Sequence, residues 1–242
     1  MLGNRILQAW GARRGGWNHA APQCCVVCRD WTREAVCPAC LERFAPARAR
    51  CAGCALPLPG TLTRCGRCVL TPFAFASCIA AMDYVPPWDA LLRRFKFQGD
   101  TGLVRALGPA LGAAVRRAAQ PWPDALVPVP LSAARWRERG YNQAALLARG
   151  LGADLRLDVL EGVAQRHAHT AHQRGLSAAR RAANVRGAFM VAPGHAAARL
   201  AGRHLAVVDD VMTTGATADA LARTLLDAGA ASVQVWVAAR TP

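Results

Sequence analysis

The stretch Leu205 to Thr217 constrains this chain more than any other. Leu205-Ala206-Val207-Val208 is an apolar run of the kind that forms a strand in a sheet covered on both faces. Asp209 and Asp210 follow at its carboxyl end, where open α/β sheets bind ligands. Thr213, Thr214, Gly215, Ala216 and Thr217 then make a loop of hydroxyls and backbone N–H groups, and a helix starts near Thr217. Gly215 permits a positive φ and close approach of the backbone. The helix turns its N-terminal N–H groups and positive dipole end to the same spot, which suits a phosphate. Two carboxylates beside it can accept hydrogen bonds from adjacent ribose hydroxyls. An ordinary polar βα turn accounts for any two or three of these residues, but not for their unbroken order. The expected ligand is therefore a ribose carrying a 5′-phosphate. No lysine follows the glycine, which excludes a nucleotide-binding P-loop.

At 242 residues the chain holds one α/β domain and a small appendage. An apolar content of 53% excludes a disordered chain. No apolar run is long enough to span a membrane. Near the start, Leu2, Ile6, Leu7 and Trp10 share one helical face, so residues 1–20 are expected to form a short helix or flexible arm. The apolar core of a cleavable signal is missing, and a cytoplasmic location is expected. The formal net charge of +15 favours polyanionic partners. The bases are almost all arginine, and Lys96 is the only lysine. Its compact, strongly hydrated ammonium marks it as a candidate site residue.

Eight of the ten cysteines form Cys-x-x-Cys pairs: Cys25/Cys28, Cys37/Cys40, Cys51/Cys54 and Cys65/Cys68. Each pair presents two thiolates at the bite of a zinc knuckle, and two knuckles complete a tetrahedral site. Sequential pairing gives one zinc ribbon from Cys25, Cys28, Cys37 and Cys40, and another from Cys51, Cys54, Cys65 and Cys68; spacing also permits an interleaved pairing. Disulfides are the alternative, but they require an oxidising compartment. A segment rich in Arg, Pro and Gly cannot bury a sufficient core alone, and structural zinc supplies roughly 10–16 kcal/mol of apparent binding energy. With four thiolates per site no open position remains, so the metal is expected to be structural. Cys24 adjoins the first knuckle and competes with Cys25, whereas Cys78 reads as a small core residue. The expected divisions are 1–20, a double zinc ribbon over 21–72, and an α/β domain over 73–242.

Between these landmarks the chain alternates. A strand is expected over Ser77 to Tyr84, then a helix carrying Trp88, Leu91, Leu92 and Phe95, then a second carrying Leu103, Leu107, Leu111 and Val115. Ala125 to Leu131 is a short buried strand broken by Pro128 and Pro130, which lack the N–H a ladder needs. Arg135, Arg137, Arg139, Gly140, Tyr141, Asn142 and Gln143 follow as a cluster of anion donors. Arg166 to Phe189 reads as a mobile lid, rich in arginines such as Arg174 and Arg181. Its His167, His169 and His172 lack the acids or cysteines of a convincing metal site. Strand returns at Gly187 to Val191, and Ser232 to Ala238 closes the sheet. Alternating strands and helices predict a parallel sheet flanked by helices.

The Val207–Thr217 stretch resembles the PRPP-binding motif of type I phosphoribosyltransferases. The wider combination resembles the ComF family. The likeness comprises the paired cysteine knuckles, Leu92 to Gly99, Val127-Pro128-Val129-Pro130-Leu131, and Arg139-Gly140-Tyr141-Asn142-Gln143. It continues through Arg166, Thr170, Gln173, Ser177, Arg181, Asn184 and Gly187-Ala188-Phe189 into the phosphate loop. That resemblance implies a type I phosphoribosyltransferase fold behind an N-terminal double zinc ribbon. It implies ribose hydroxyls on Asp209 and Asp210, the 5′-phosphate on Thr213 to Thr217, and Mg2+ accompanying PRPP. Lys96, Pro128, Arg139, Arg174 and Arg181 are the implied pyrophosphate or lid residues. It further implies a role in DNA uptake and natural transformation beside other competence proteins. Two readings follow: a phosphoribosyl-transferring enzyme, or a single-stranded-DNA-binding or regulatory module that keeps the pocket. In the second, Trp31, Trp136 or Tyr141 would stack bases.

Overall fold

The computed structural model describes residues 22–118, 121–166, 187–193 and 198–242. The arm expected over 1–20 lies outside them, as does most of the expected lid, including His167, His169, His172, Arg174 and Arg181.

The cysteine region comes first. β1 (Gln23–Cys24) pairs antiparallel with β2 (Trp31–Thr32), and α1 (Pro38–Phe44) follows, with Pro38 in the first helical turn. A second turn, closed by a bridge between Arg50 and Pro57, leads to α2 (Gly66–Leu70). Each unit is thus a short antiparallel pairing around a turn, followed by a short helix. Cys37 caps α1 and Cys65 caps α2, so the second knuckle of each set stands at a helix N-terminus.

The α/β region follows with the expected alternation. β3 (Ser77–Asp83) leads to α3 (Trp88–Phe97), which buries Trp88, Leu91, Leu92 and Phe95. α4 (Val104–Arg117) buries Leu107, Leu111 and Val115, while Leu103 belongs to the 3-10 turn before it. β4 (Ala125–Pro128) stops at the first proline of Pro-x-Pro. Next come α5 (Ala133–Arg139), α6 (Gln143–Leu155), β5 (Asp158–Val159), β6 (Ala164–Arg166) and β7 (Phe189–Val191). β8 (His204–Met212), α7 (Ala216–Asp227) and β9 (Ser232–Arg240) complete the described chain.

Five strands make one sheet in the order β3-β9-β8-β4-β5, and every pairing in it is parallel. The last strand therefore enters the middle of the sheet, and Val233 to Arg240 are all buried. β6 and β7 pair antiparallel with each other, apart from that sheet. Short β5 and α5 have too little periodicity to show in the sequence.

Side chains on a strand alternate between faces, and here the alternation sorts two cores. Cys78, Ala80, Leu205, Val207, Val235 and Val237 join the core that holds Leu221 and Leu225 of α7 together with Cys51, Cys54 and Cys68. Ile79, Ala81, Ala206, Val208, Trp236 and Ala238 join the opposite core, with α3, α4, α6, Cys25 and Cys40. The two cysteine units thus brace opposite faces of one sheet. Cys78 is the buried core residue its apolar setting predicts.

Candidate functional site

β8 carries the acid pair, and its alternation divides the two acids. Leu205 and Val207 point into the α7 side, and Ala206 and Val208 into the α3 side. Asp209 continues the first series and lines a cleft with Thr213, Thr214, Gly215, Ala216 and Thr217. Asp210 continues the second and is buried, 3% exposed. There it meets Lys96 near the end of α3, whose Nζ donates to Oδ1 at 3.1 Å and lies 3.1 Å from Oδ2. Oδ2 accepts no hydrogen bond, so one buried carboxylate oxygen keeps an unused lone pair beside the cation.

Both carboxylates sit where their charges interact. The Asp209 carboxyl is pushed up to about 7 by burial and by the adjacent Asp210, against the pull of Lys96 and the Asp210 N–H. Arg166, at the end of β6, is also part of this field. Burial and the neighbouring Arg135 lower its pKa, while Asp209 acts in the opposite direction.

The loop has the backbone its sequence requires. Gly215 adopts φ +83° and caps α7, which begins at Ala216, one residue before the expected start. The cleft has a volume of about 40 Å³ and is lined also by Val211 and Val237. Asp209, the loop and the amino end of α7 thus converge at the carboxyl edge of the sheet.

The Arg139–Gln143 block reaches the site by an unexpected route. Instead of offering a row of donors to solvent, it clamps the end of α3. The Tyr141 hydroxyl donates to the Phe95 carbonyl, and Gln143 Nε2 donates to the Lys96 carbonyl at 3.1 Å. Asn142 caps α6 by accepting from Ala144 and Ala145, and its own amide donates to Val129 O at 3.0 Å. Arg139 lies over the Phe97 ring at 4.8 Å. Gly140 takes the positive φ, +73°, that ends α5. Pro128 is buried in register with Val208, directly before the acid pair, and does not line the cleft.

The cysteines form two sets, Cys25/Cys28/Cys37/Cys40 and Cys51/Cys54/Cys65/Cys68, each with its sulfur atoms within 4.8 Å of one another. Of the pairings that spacing allows, this is the sequential one. The geometry and the donor set suit a metal ion. Cys24 stands exposed, outside the first set. Burial alone would raise the Cys25 and Cys51 thiols. Backbone N–H groups outweigh it, from Cys28, Cys37 and Val27 at the first and from Cys65, Cys54 and Gly53 at the second. They bring Cys25 to about 6 and Cys51 to about 7. At Cys40 and Cys68, burial and the neighbouring cysteines push the thiol the other way; a bound metal requires the thiolate form.

The architecture is a parallel α/β sheet with an acid-and-threonine loop at its carboxyl edge and two four-cysteine centres. No family model matches the chain. Curated proteins that match nearly all of it include the following two. Competence protein F of Haemophilus influenzae is 34% identical over 223 residues, covering 89% of this chain and 96% of that protein. DNA utilization protein YhgH of Escherichia coli is 34% identical over 230 residues, covering 91% and 98%. The chain belongs to the ComF family, which these two proteins represent. Among solved structures, the glutamine phosphoribosylpyrophosphate (PRPP) amidotransferase from B. subtilis aligns at 20% identity over 55% of this chain and 25% of that one. Its TM-score is 0.37. Among the described residues no helix is long and apolar enough to cross a membrane.

Proposed function

We propose that this protein binds a 5′-phosphoribosyl ligand, PRPP with Mg2+, in the cleft between Asp209 and the amino end of α7. One observation supports this above the others: the Asp209 carboxylate and the 213–217 loop line the same cleft, with Gly215 in the left-handed conformation. The loop amides and the helix dipole hold the 5′-phosphate. Asp209 accepts hydrogen bonds from the ribose hydroxyls, and Asp210 fixes Lys96 beside them. Magnesium, which takes few protein ligands when substrate phosphates are present, accompanies the pyrophosphate. The Lys96 ammonium and the Arg166 guanidinium both act electrostatically on Asp209 and supply positive charge of the kind a departing pyrophosphate needs, so pentosyl transfer is the reaction the site suits. Two structural zinc ions fill the cysteine centres. The relatives' names, competence and DNA utilization, support a role for this chain in handling DNA.

Binding of PRPP with Mg2+ should raise the melting temperature of the full chain. Asp209→Asn with Asp210→Asn should abolish that rise, and a wild-type chain indifferent to PRPP ends the proposal.

A second reading has its own support. α5 exposes Trp136 beside Arg135 and Arg137, and Trp31 is 77% exposed. An aromatic platform among arginines suits single-stranded DNA. Its affinity should then fall steeply between 50 and 200 mM salt.

A further inference from the structure

Two connections run from the second cysteine centre to the phosphate loop, and they grip opposite ends of it. The first is Arg240, the last residue of β9, which is 6% exposed. Its Nε donates to the Cys54 carbonyl at 2.9 Å, and Nη1 donates to the Met212 carbonyl at 3.3 Å. Cys54 belongs to the second centre, and Met212 is the residue before Thr213. The guanidinium is rigid and planar, so it fixes the two carbonyls relative to each other.

The second connection is Phe73, which follows α2 and therefore Cys68. Its ring lies against Gly215 so closely that a Cβ there would stand 2.9 Å from it. Arg67 of α2 covers the same ring at 4.9 Å. The next residue, Ala74, donates its N–H to Asp219 Oδ1 in the first turn of α7 at 2.6 Å. Residues flanking Cys68 thus support the turn at Gly215 and the start of the helix.

The first cysteine centre is placed differently. Its Cys25 and Cys40 pack in the opposite core, and its helix α1 is tied to α3 through Trp88 Nε1, which donates to the Phe44 carbonyl at 2.7 Å.

We infer that the Cys51/Cys54/Cys65/Cys68 centre is a buttress of the phosphate loop, with Arg240 and Phe73 as the positioning residues that couple them. Metal in that centre and an anion in the loop then stabilise each other reciprocally. The first centre has no part in this coupling. The inference rests on the phosphate-loop reading for its ligand, but not for its mechanics.

Hydrogen exchange over residues 212–219 tests the mechanics without any ligand. In the zinc-loaded full chain, Cys68→Ser should lower protection there by a factor of about 5–150, the usual range of coupling between sites. Cys40→Ser should leave it unchanged. Arg240→Met and Phe73→Leu should reproduce the local loss with zinc content intact, which keeps the test decisive if Cys68→Ser does not fold. Equal losses in Cys68→Ser and Cys40→Ser overturn the inference. So does unchanged protection in both Arg240→Met and Phe73→Leu. The rate of zinc release to a chelator gives the reciprocal measurement. PRPP with Mg2+ should slow release from the second centre of the wild type and not of Arg240→Met. A wild type that binds no PRPP removes the ligand reading and leaves the exchange contrast to stand or fall alone.

Discussion

Lys96 and Asp210 meet at 3.1 Å although they stand 114 positions apart in the chain. The pair joins the end of α3 to the carboxyl edge of the central strand. Lys96→Met leaves a buried carboxylate without its cation, which should cost about 1–3 kcal/mol of stability. Adding Asp210→Asn should recover much of that loss, because the uncompensated charge goes with it. Urea unfolding of the two variants measures both.

Asp209 gives a pH signature. Its carboxyl titrates at about 7 in the folded chain, above the ordinary carboxylate range, because of burial and the adjacent Asp210. The folded state therefore holds this proton more tightly than the unfolded chain. Ionisation weakens folding as pH rises from the ordinary carboxylate value through 7. Asp209→Asn removes that charge. It should raise the melting temperature at pH 8 by roughly 2–8 °C, since 1 kcal/mol is worth about 2–4 °C in a chain of this size. At pH 5, where Asp209 already carries its proton, the gain should vanish while PRPP binding stays impaired.

Metal content provides a separate check. Native mass spectrometry should count two zinc ions on the wild type and one on Cys40→Ser. Chelation of both should lower thermal stability sharply, because binding energy of a structural zinc is folding energy. A chain that keeps its melting temperature after complete chelation contradicts the assignment.

The anchoring of the block that clamps α3 can be tested at Asn142, between the two clamping residues. Its side chain accepts from Ala144 and Ala145 at the start of α6 and donates to Val129 O. Asn142→Ala should cost about 0.5–2 kcal/mol, the usual range for a lost cap. Denaturant midpoints give this directly. PRPP affinity should fall as well, because the same block holds the Lys96 carbonyl through Gln143.

The sequence by itself determined much of the local structure. The strand into Asp209, the positive φ at Gly215, the helix after it, the apolar face of α3 and the arrest of β4 at Pro128 all follow from neighbouring residues. Such features depend on backbone allowance and periodicity, which a short window contains. The cysteine spacing gave the donor set, but more than one pairing fitted it and only the folded chain selects one. Tertiary structure alone decided the rest. It set β9 between β3 and β8, turned the Tyr141–Gln143 block into a clamp for Lys96, and brought Arg240 to Cys54. It also gave Asp209 to the 213–217 loop and Asp210 to Lys96. Alternation along β8 already implies that the two acids part, but what waits on each face depends on contacts between residues far apart in the chain, and these exist only once the sheet has formed.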